Sequence, residues 1–130
     1  MFRLAILLGA GNAALAILLG AFAAHTIQNT ISERMLVIFS TAVDYHLYHA
    51  IGLIVVGLLI KLHPISKLLK FAVYLMLFGI IVFCGSLYAL SLTGITKLGM
   101  VTPFGGVAFI IAWLFVFIAF IKKESNNQLF

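Results

Sequence analysis

Charge is what this sequence has least of. Only 8% of its 130 residues are charged and three are acidic, against 65% apolar. Soluble domains carry about 25% charged residues, so there is too little polar surface here to cover a water-exposed globule. That excludes a soluble enzyme, and equally a disordered tail, which needs low hydrophobicity. The single cysteine, Cys84, excludes a disulfide scaffold and any C-x-x-C motif. The sequence contains no H-E-x-x-H, no G-x-S-x-G, no P-loop and no dinucleotide fingerprint. A net charge of +5 and a pI near 9.7 resemble a nucleic-acid footprint. Such binding needs Lys and Arg clustered on one face, whereas the basic residues here sit between apolar runs, so nucleic acid is not an expected partner.

Long apolar runs are what the sequence does have. A bilayer core needs roughly 20 apolar residues per helix, and four runs qualify: about Leu4–Ala24, Ile38–Ile60, Leu68–Leu92 and Val101–Ile121. Hydrocarbon offers no water to backbone polar groups, so these runs must be helices. The fold class follows: all-α, a four-transmembrane-helix bundle forming one integral membrane domain over residues 1–130, with Lys122–Phe130 as a short, mobile polar tail. Boundary residues agree. His63-Pro64 breaks the chain after the second run, Gly94 ends the third, and Thr102-Pro103 reads as a cap with proline at the first helical position of the fourth.

The first run also mimics a signal peptide, with Arg3 ahead of it and Ala21-Phe22-Ala23 as a cleavage-like site. Its apolar core is longer than that of a signal peptide, so we expect a retained helix. Orientation follows from basic residues in short loops. One side holds Arg3, Lys61, Lys67, Lys70, Lys122 and Lys123; the other holds Arg34 and Lys97. Both termini are therefore expected in the cytoplasm.

Helical spacing of 100° per residue puts Ala5, Gly9, Asn12, Ala13, Ala16, Gly20 and Ala23 on one face of the first helix. The heptapeptide Leu-Ala-Ile-Leu-Leu-Gly-Ala occurs at 4–10 and again at 15–21, close to three turns apart, so both copies present the same face. Small residues let helices approach closely in lipid, so this stripe is a packing surface, and Asn12 within it should bond another helix. On the fourth helix, Gly105, Ala108, Ala112 and Ala119 share one face. Phe109, Trp113, Phe117 and Phe120 share another, expected to meet lipid or a neighbouring subunit.

Polar residues gather where the first and third helices end and the second and fourth begin: His25, Asp44, Tyr45, His46, Tyr48, His49, Tyr88, Ser91, Thr93 and Thr102. Thr41, Tyr45, Tyr48, His49 and Gly52 share one arc of the second helix, while His46 points about 160° away from Asp44. Cys84, Tyr88 and Ser91 share a face of the third, a natural partner for the Tyr/His arc. Intramembrane ionisable residues are functional candidates, and a proton or metal site from His25, Asp44, His49 and Tyr88 is one reading. Metal sites need three or four convergent ligands, and each helix supplies at most two. We therefore read His25, Tyr45, Tyr48, His49, Tyr88 and Ser91 as a candidate polar cluster that fixes helix register, with Tyr and Ser hydroxyls bonding His49. No catalytic residue, metal or cofactor is assigned.

Four motifs occur in order: Gly20-Ala21-Phe22-Ala23-Ala24-His25, Tyr45-x-x-Tyr48-His49-Ala50, Gly85-Ser86-Leu87-Tyr88, and Thr102-Pro103-x-Gly105-Gly106-Val107-Ala108-Phe109. Together the sequence resembles the YgdD/YwdK-like family of small bacterial inner-membrane proteins, grouped as a domain of unknown function. The resemblance implies a multi-pass membrane protein, commonly of four helices, and no activity. Ala23 stands where that family commonly has Gly, and Asp44 and His46 where uncharged polar residues are expected. Those departures favour His25, Tyr48 and His49 over Asp44 and His46.

The function expected is that of a non-enzymatic structural or interaction protein of the membrane. Its partners would be membrane lipid and either further copies of itself or other membrane proteins. A small oligomeric carrier or channel subunit, entered through a polar pocket at the outer leaflet, is the alternative; a lipid or quinone enzyme ranks third. Against the carrier stand the short chain, the absence of an inverted repeat and the unbroken helices.

Overall fold

The computed structural model describes the backbone of residues 1–127 and the side chains of residues 1–121. Those residues form α1 (Phe2–His25), α2 (Glu33–Leu62), a third crossing made of α3 (Lys67–Gly79), a π-helical turn (Ile80–Cys84) and α4 (Gly85–Thr93), and finally α5 (Thr102–Asn127). Short 3-10 turns at Ile27–Asn29 and Thr96–Met100 link them, and there is no strand among the described residues. Four helical stretches are long and apolar enough to cross a membrane. The helical backbone of α5 runs past Lys122 to Asn127. The side chains of Lys122 and Lys123, and the end of the expected tail, lie outside the described residues.

Local chemistry sets the ends. Ser32 caps α2 by accepting from the Met35 N–H at 3.2 Å, and Ser66 caps α3 by accepting from Leu69 at 3.4 Å. Gly94 closes α4 at φ 72°, a left-handed conformation that glycine adopts without steric penalty. Helix α2 starts at Glu33, ahead of the apolar run that begins at Ile38. Its first turn is stabilised by the Ser32 cap and by an acidic residue at the positive end of the helix dipole, neither of which registers as hydrophobicity.

Helix α2 is the centre of the bundle. Helix α1 lies along one side of it and touches little else, whereas α5 lies along α3 and the π turn, and α3 and α4 pack on α2. Within α1 only Ala5, Gly9, Ala16 and Ala23 are buried, all members of the small-residue face. A Cβ on Gly9 would come within 2.6 Å of Ile54 Cγ1 and 2.7 Å of the Ala50 carbonyl, so the two helices touch backbone to backbone. Leu7 and Leu18, at 70% and 67% exposure, point away. The core between α2, α3 and α5 is built from Leu53, Val56, Leu69, Val73, Met76, Cys84 and Ala112.

Two features of the second half depart from expectation. The third crossing carries the π turn, which adds a residue to the helical repeat and so rotates α4 relative to α3. Beside it Gly105 approaches so closely that a Cβ there would collide with the backbone N of Phe83. On α5, Phe117 faces outward as expected and Trp113 is part-exposed, but Phe109 is buried. Its ring lies directly over Gly79, in space that any side chain at 79 would take. The expected lipid-facing aromatic face therefore loses Phe109 to the core, because a glycine opposite makes a ring-sized gap.

Candidate functional site

Three residues apart on α2, His46 and His49 are both buried, and although their positions lie only about 60° apart around the helix they meet different neighbours. Each anchors a separate hydrogen-bonded group, and in each the roles of donor and acceptor can be worked out from atoms that have only one role.

The first group joins α1, α2 and α4. Asn12 sits 2.8 Å from the Leu8 carbonyl through its Nδ2. A carbonyl only accepts, so this atom is the amide NH2 and the other is Oδ1. Asn12 Oδ1 lies 3.0 Å from His46 Nε2, which must therefore carry a hydrogen. In the neutral ring Nδ1 is then the acceptor, and the Tyr88 hydroxyl donates to it across 3.1 Å. The result is a one-way chain from Tyr88 through His46 and Asn12 to Leu8. The Tyr88 ring is fixed beneath this chain by Phe39, with centroids 4.9 Å apart.

The second group joins α2 to α5. His49 Nδ1 lies 2.7 Å from the Tyr45 carbonyl of its own helix, so Nδ1 carries the hydrogen and Nε2 is the acceptor. The Trp113 indole N–H, which only donates, reaches that nitrogen at 3.2 Å. The imidazole stacks on Phe109 with centroids 3.4 Å apart and planes inclined by 12°. The two histidines are thus held as opposite tautomers. A third contact, Ser86 with Thr102 at 2.6 Å, ties α4 to the start of α5.

The six expected cluster residues do not share one site. His49 is buried in the second group and Tyr88 belongs to the first. Ser91 is buried and donates to the Tyr88 carbonyl at 2.9 Å, within α4. Tyr45 and Tyr48 are exposed at 41% and 59%, with ring centroids 6.0 Å apart, and His25 is exposed at the end of α1. Instead of Tyr or Ser hydroxyls, His49 receives a backbone carbonyl and an indole. The hydroxyl expected to serve it, that of Tyr88, goes to His46, one turn earlier on α2. Asp44 is exposed, so the two polar residues among the three departures from the family pattern part company: Asp44 faces out, and His46 is the hub.

Depth differs from expectation as well. At a 1.5 Å rise, His49 lies about 24 Å from the start of α2 and about 20 Å from its end, and Trp113 about 16 Å into α5. Both groups sit near mid-length of the bundle. The long α2 explains this, since its polar first turn makes His46 and His49 look nearer one end than they are. Among the described residues, no three His, Cys, Asp or Glu side chains converge as metal ligands, and no buried side-chain polar atom lacks a hydrogen-bond partner.

The second group opens sideways. A groove of about 420 Å3 between α2 and α5 is lined by Tyr45, His49, Phe83, Gly106, Phe109, Ile110 and Trp113.

Residues 19–106 match a family model described as "Protein of unknown function (DUF423)". The chain belongs to this family. It is 50% identical over 118 residues to the UPF0382 membrane protein YwdK of Bacillus subtilis (strain 168), covering 90% of this chain and 95% of that one. It is also 44% identical over 117 residues to a UPF0382 membrane protein of Staphylococcus epidermidis (strain ATCC 12228), covering 90% and 94%. A Staphylococcus aureus relative (strain bovine RF122), also a UPF0382 membrane protein, is 43% identical over 120 residues, covering 92% and 97%. No solved structure matches. The resemblance read from the four motifs is therefore right, and the chain is a membrane protein of a family to which no activity is assigned.

His46 and Trp113 are the residues that sequence reasoning passed over. The signal for His46 was present: Asn12 lay on a packing face in need of an inter-helix partner, and His46 lay on the arc of the second helix opposite Asp44. For Trp113 no signal existed, because nothing in helical spacing distinguishes an indole facing lipid from one reaching an imidazole.

Proposed function

We propose that this protein is a non-enzymatic component of a bacterial inner membrane, a bundle with both termini in the cytoplasm that works through association with lipid, with its own copies or with other membrane proteins. One observation carries the reading: both ring nitrogens of each buried histidine are spent on hydrogen bonds within the protein, three of the four to other helices. A catalytic or transport site would keep such groups open toward a substrate. Here their capacity goes into fixing which helix faces which. The excess of basic residues at the Lys61–Lys70 connection over the Arg34 and Lys97 side supports the orientation.

Topology and association are measured together. Single cysteines at Lys67 and at Lys97, in a Cys84→Ala background, are treated with a membrane-impermeant maleimide in intact spheroplasts. Labelling at position 97 with protection at 67 is expected, and the reverse refutes the orientation. Crosslinking of the same membranes should yield discrete higher-mass species. A chain that stays monomeric and captures nothing removes the interaction role.

A further inference from the structure

We propose that the groove between α2 and α5 binds the ring of a membrane-dissolved quinone, a flat, carbonyl-bearing ring on a hydrocarbon tail. The proposal takes from the functional reading above only that the groove faces hydrocarbon.

The groove's volume, about 420 Å3, falls in the range of small-molecule sites. Its walls are mostly flat rings, with Phe83 and Phe109 edge to face at 5.6 Å, Trp113 beyond them, and the aliphatic Ile110 completing the lining. Flat walls suit a planar ring, since offset stacking is the preferred contact between aromatic systems. The floor offers nothing to a charged or strongly polar guest. His49 donates to the Tyr45 carbonyl and accepts from Trp113, so neither ring nitrogen nor the indole N–H is free.

One polar atom is left. Tyr45 packs its ring on Phe83, centroids 4.8 Å apart, and among the described residues its hydroxyl makes no hydrogen bond. A hydroxyl without a partner in hydrocarbon is unfavourable, so the occupant should bring one acceptor to the mouth of the groove and an apolar body to the rest. The groove runs from Gly106, about 6 Å into α5, to Trp113, about 16 Å in. A phospholipid would lay only an acyl chain along these rings, whereas a quinone presents a flat face to them and a carbonyl oxygen to the Tyr45 hydroxyl. Gly106 keeps the space open: a Cβ there would have as its nearest neighbour Phe83 Cδ2 at 3.6 Å, an ordinary contact, so a longer side chain would extend into the groove without disturbing the backbone.

Trp113 is the chain's one tryptophan, and contact with a quinone quenches indole emission. The full-length protein in phospholipid nanodiscs is titrated with a methylnaphthoquinone bearing a short isoprenoid tail, and Trp113 emission is followed. Saturable quenching is expected. Gly106→Leu should weaken it by more than about tenfold, as its side chain occupies the groove, and Tyr45→Phe by about three- to tenfold through the lost hydrogen bond. Quenching that rises linearly with quinone content, equally in the native chain and in Tyr45→Phe, overturns the proposal, even if Gly106→Leu fails to fold. So does saturating quenching by a brominated phosphatidylcholine that the quinone does not displace, which would identify the occupant as an ordinary lipid chain. Neither result touches the labelling of positions 67 and 97, so this proposal can fail while the bundle and its orientation stand.

Discussion

Replacing Asn12 by leucine tests whether the Tyr88–His46–Asn12 chain holds α1 to α2. The substitution keeps volume and removes Oδ1, the only acceptor for His46 Nε2–H. Hydrogen bonds between membrane helices average about 0.6 kcal/mol and reach about 1.7. His46 is 3% exposed, so no water replaces the lost acceptor, and a stranded buried donor costs about 1–3 kcal/mol. Leucine's better solvation by lipid at this half-buried position offsets part of that. The expected loss is about 1–2 kcal/mol. His46→Leu should cost more, since it strands both Asn12 and the Tyr88 hydroxyl. The decisive quantity is the coupling: in a His46→Leu background Asn12→Leu should cost about 1 kcal/mol less than in the native chain, because the donor it strands is gone. Unfolding by SDS in mixed micelles, followed by Trp113 fluorescence, measures all four corners of the cycle. Additivity within about 0.3 kcal/mol would show that the two side chains do not act together, and the chain of bonds would then not be what positions α1.

Other outcomes follow from the α5 interface. Gly105→Ala drives a Cβ into the backbone at Phe83 and should cost about 1–3 kcal/mol, whereas Gly106→Ala one residue on should be near neutral. Equal losses in the same unfolding assay would refute the close approach of α5 to the π turn. Trp113→Phe leaves His49 Nε2 without a donor and should cost about 1 kcal/mol, read by circular dichroism because the fluorophore is removed. No loss would mean that the indole is not the histidine's partner. Cys84 is fully buried, so a membrane-permeant maleimide should modify it only after SDS unfolding. Rapid stoichiometric labelling of the native chain would place it elsewhere.

Much of the fold was legible because hydrocarbon is an unforgiving solvent. Apolar runs of about 20 residues have only one way to satisfy their backbone in it. The four helices, their breaks at His63-Pro64 and Gly94, the packing face of α1 and the inter-helix role of Asn12 could all be read from residue order. The candidate cluster was legible only in composition. Tyr88 and His49 were expected as partners because each lies on a polar face, yet Tyr88 finds His46, on the same helix as His49, and His49 finds Trp113 of α5.

Residue order by itself determined that this chain is helical, crosses a bilayer and belongs with small multi-pass membrane proteins, because each of those properties depends on local hydrophobicity, spacing and short motifs. Tertiary structure decided which side chain bonds which. The π turn at Ile80–Cys84 rotates α4, the extra turn at the start of α2 leaves its histidines near mid-length, and the gap over Gly79 draws Phe109 inward. Rotation and gap act only when helices pack against one another, and the offset comes from a polar cap that hydrophobicity does not register, so no apolar periodicity within a single helix carries them.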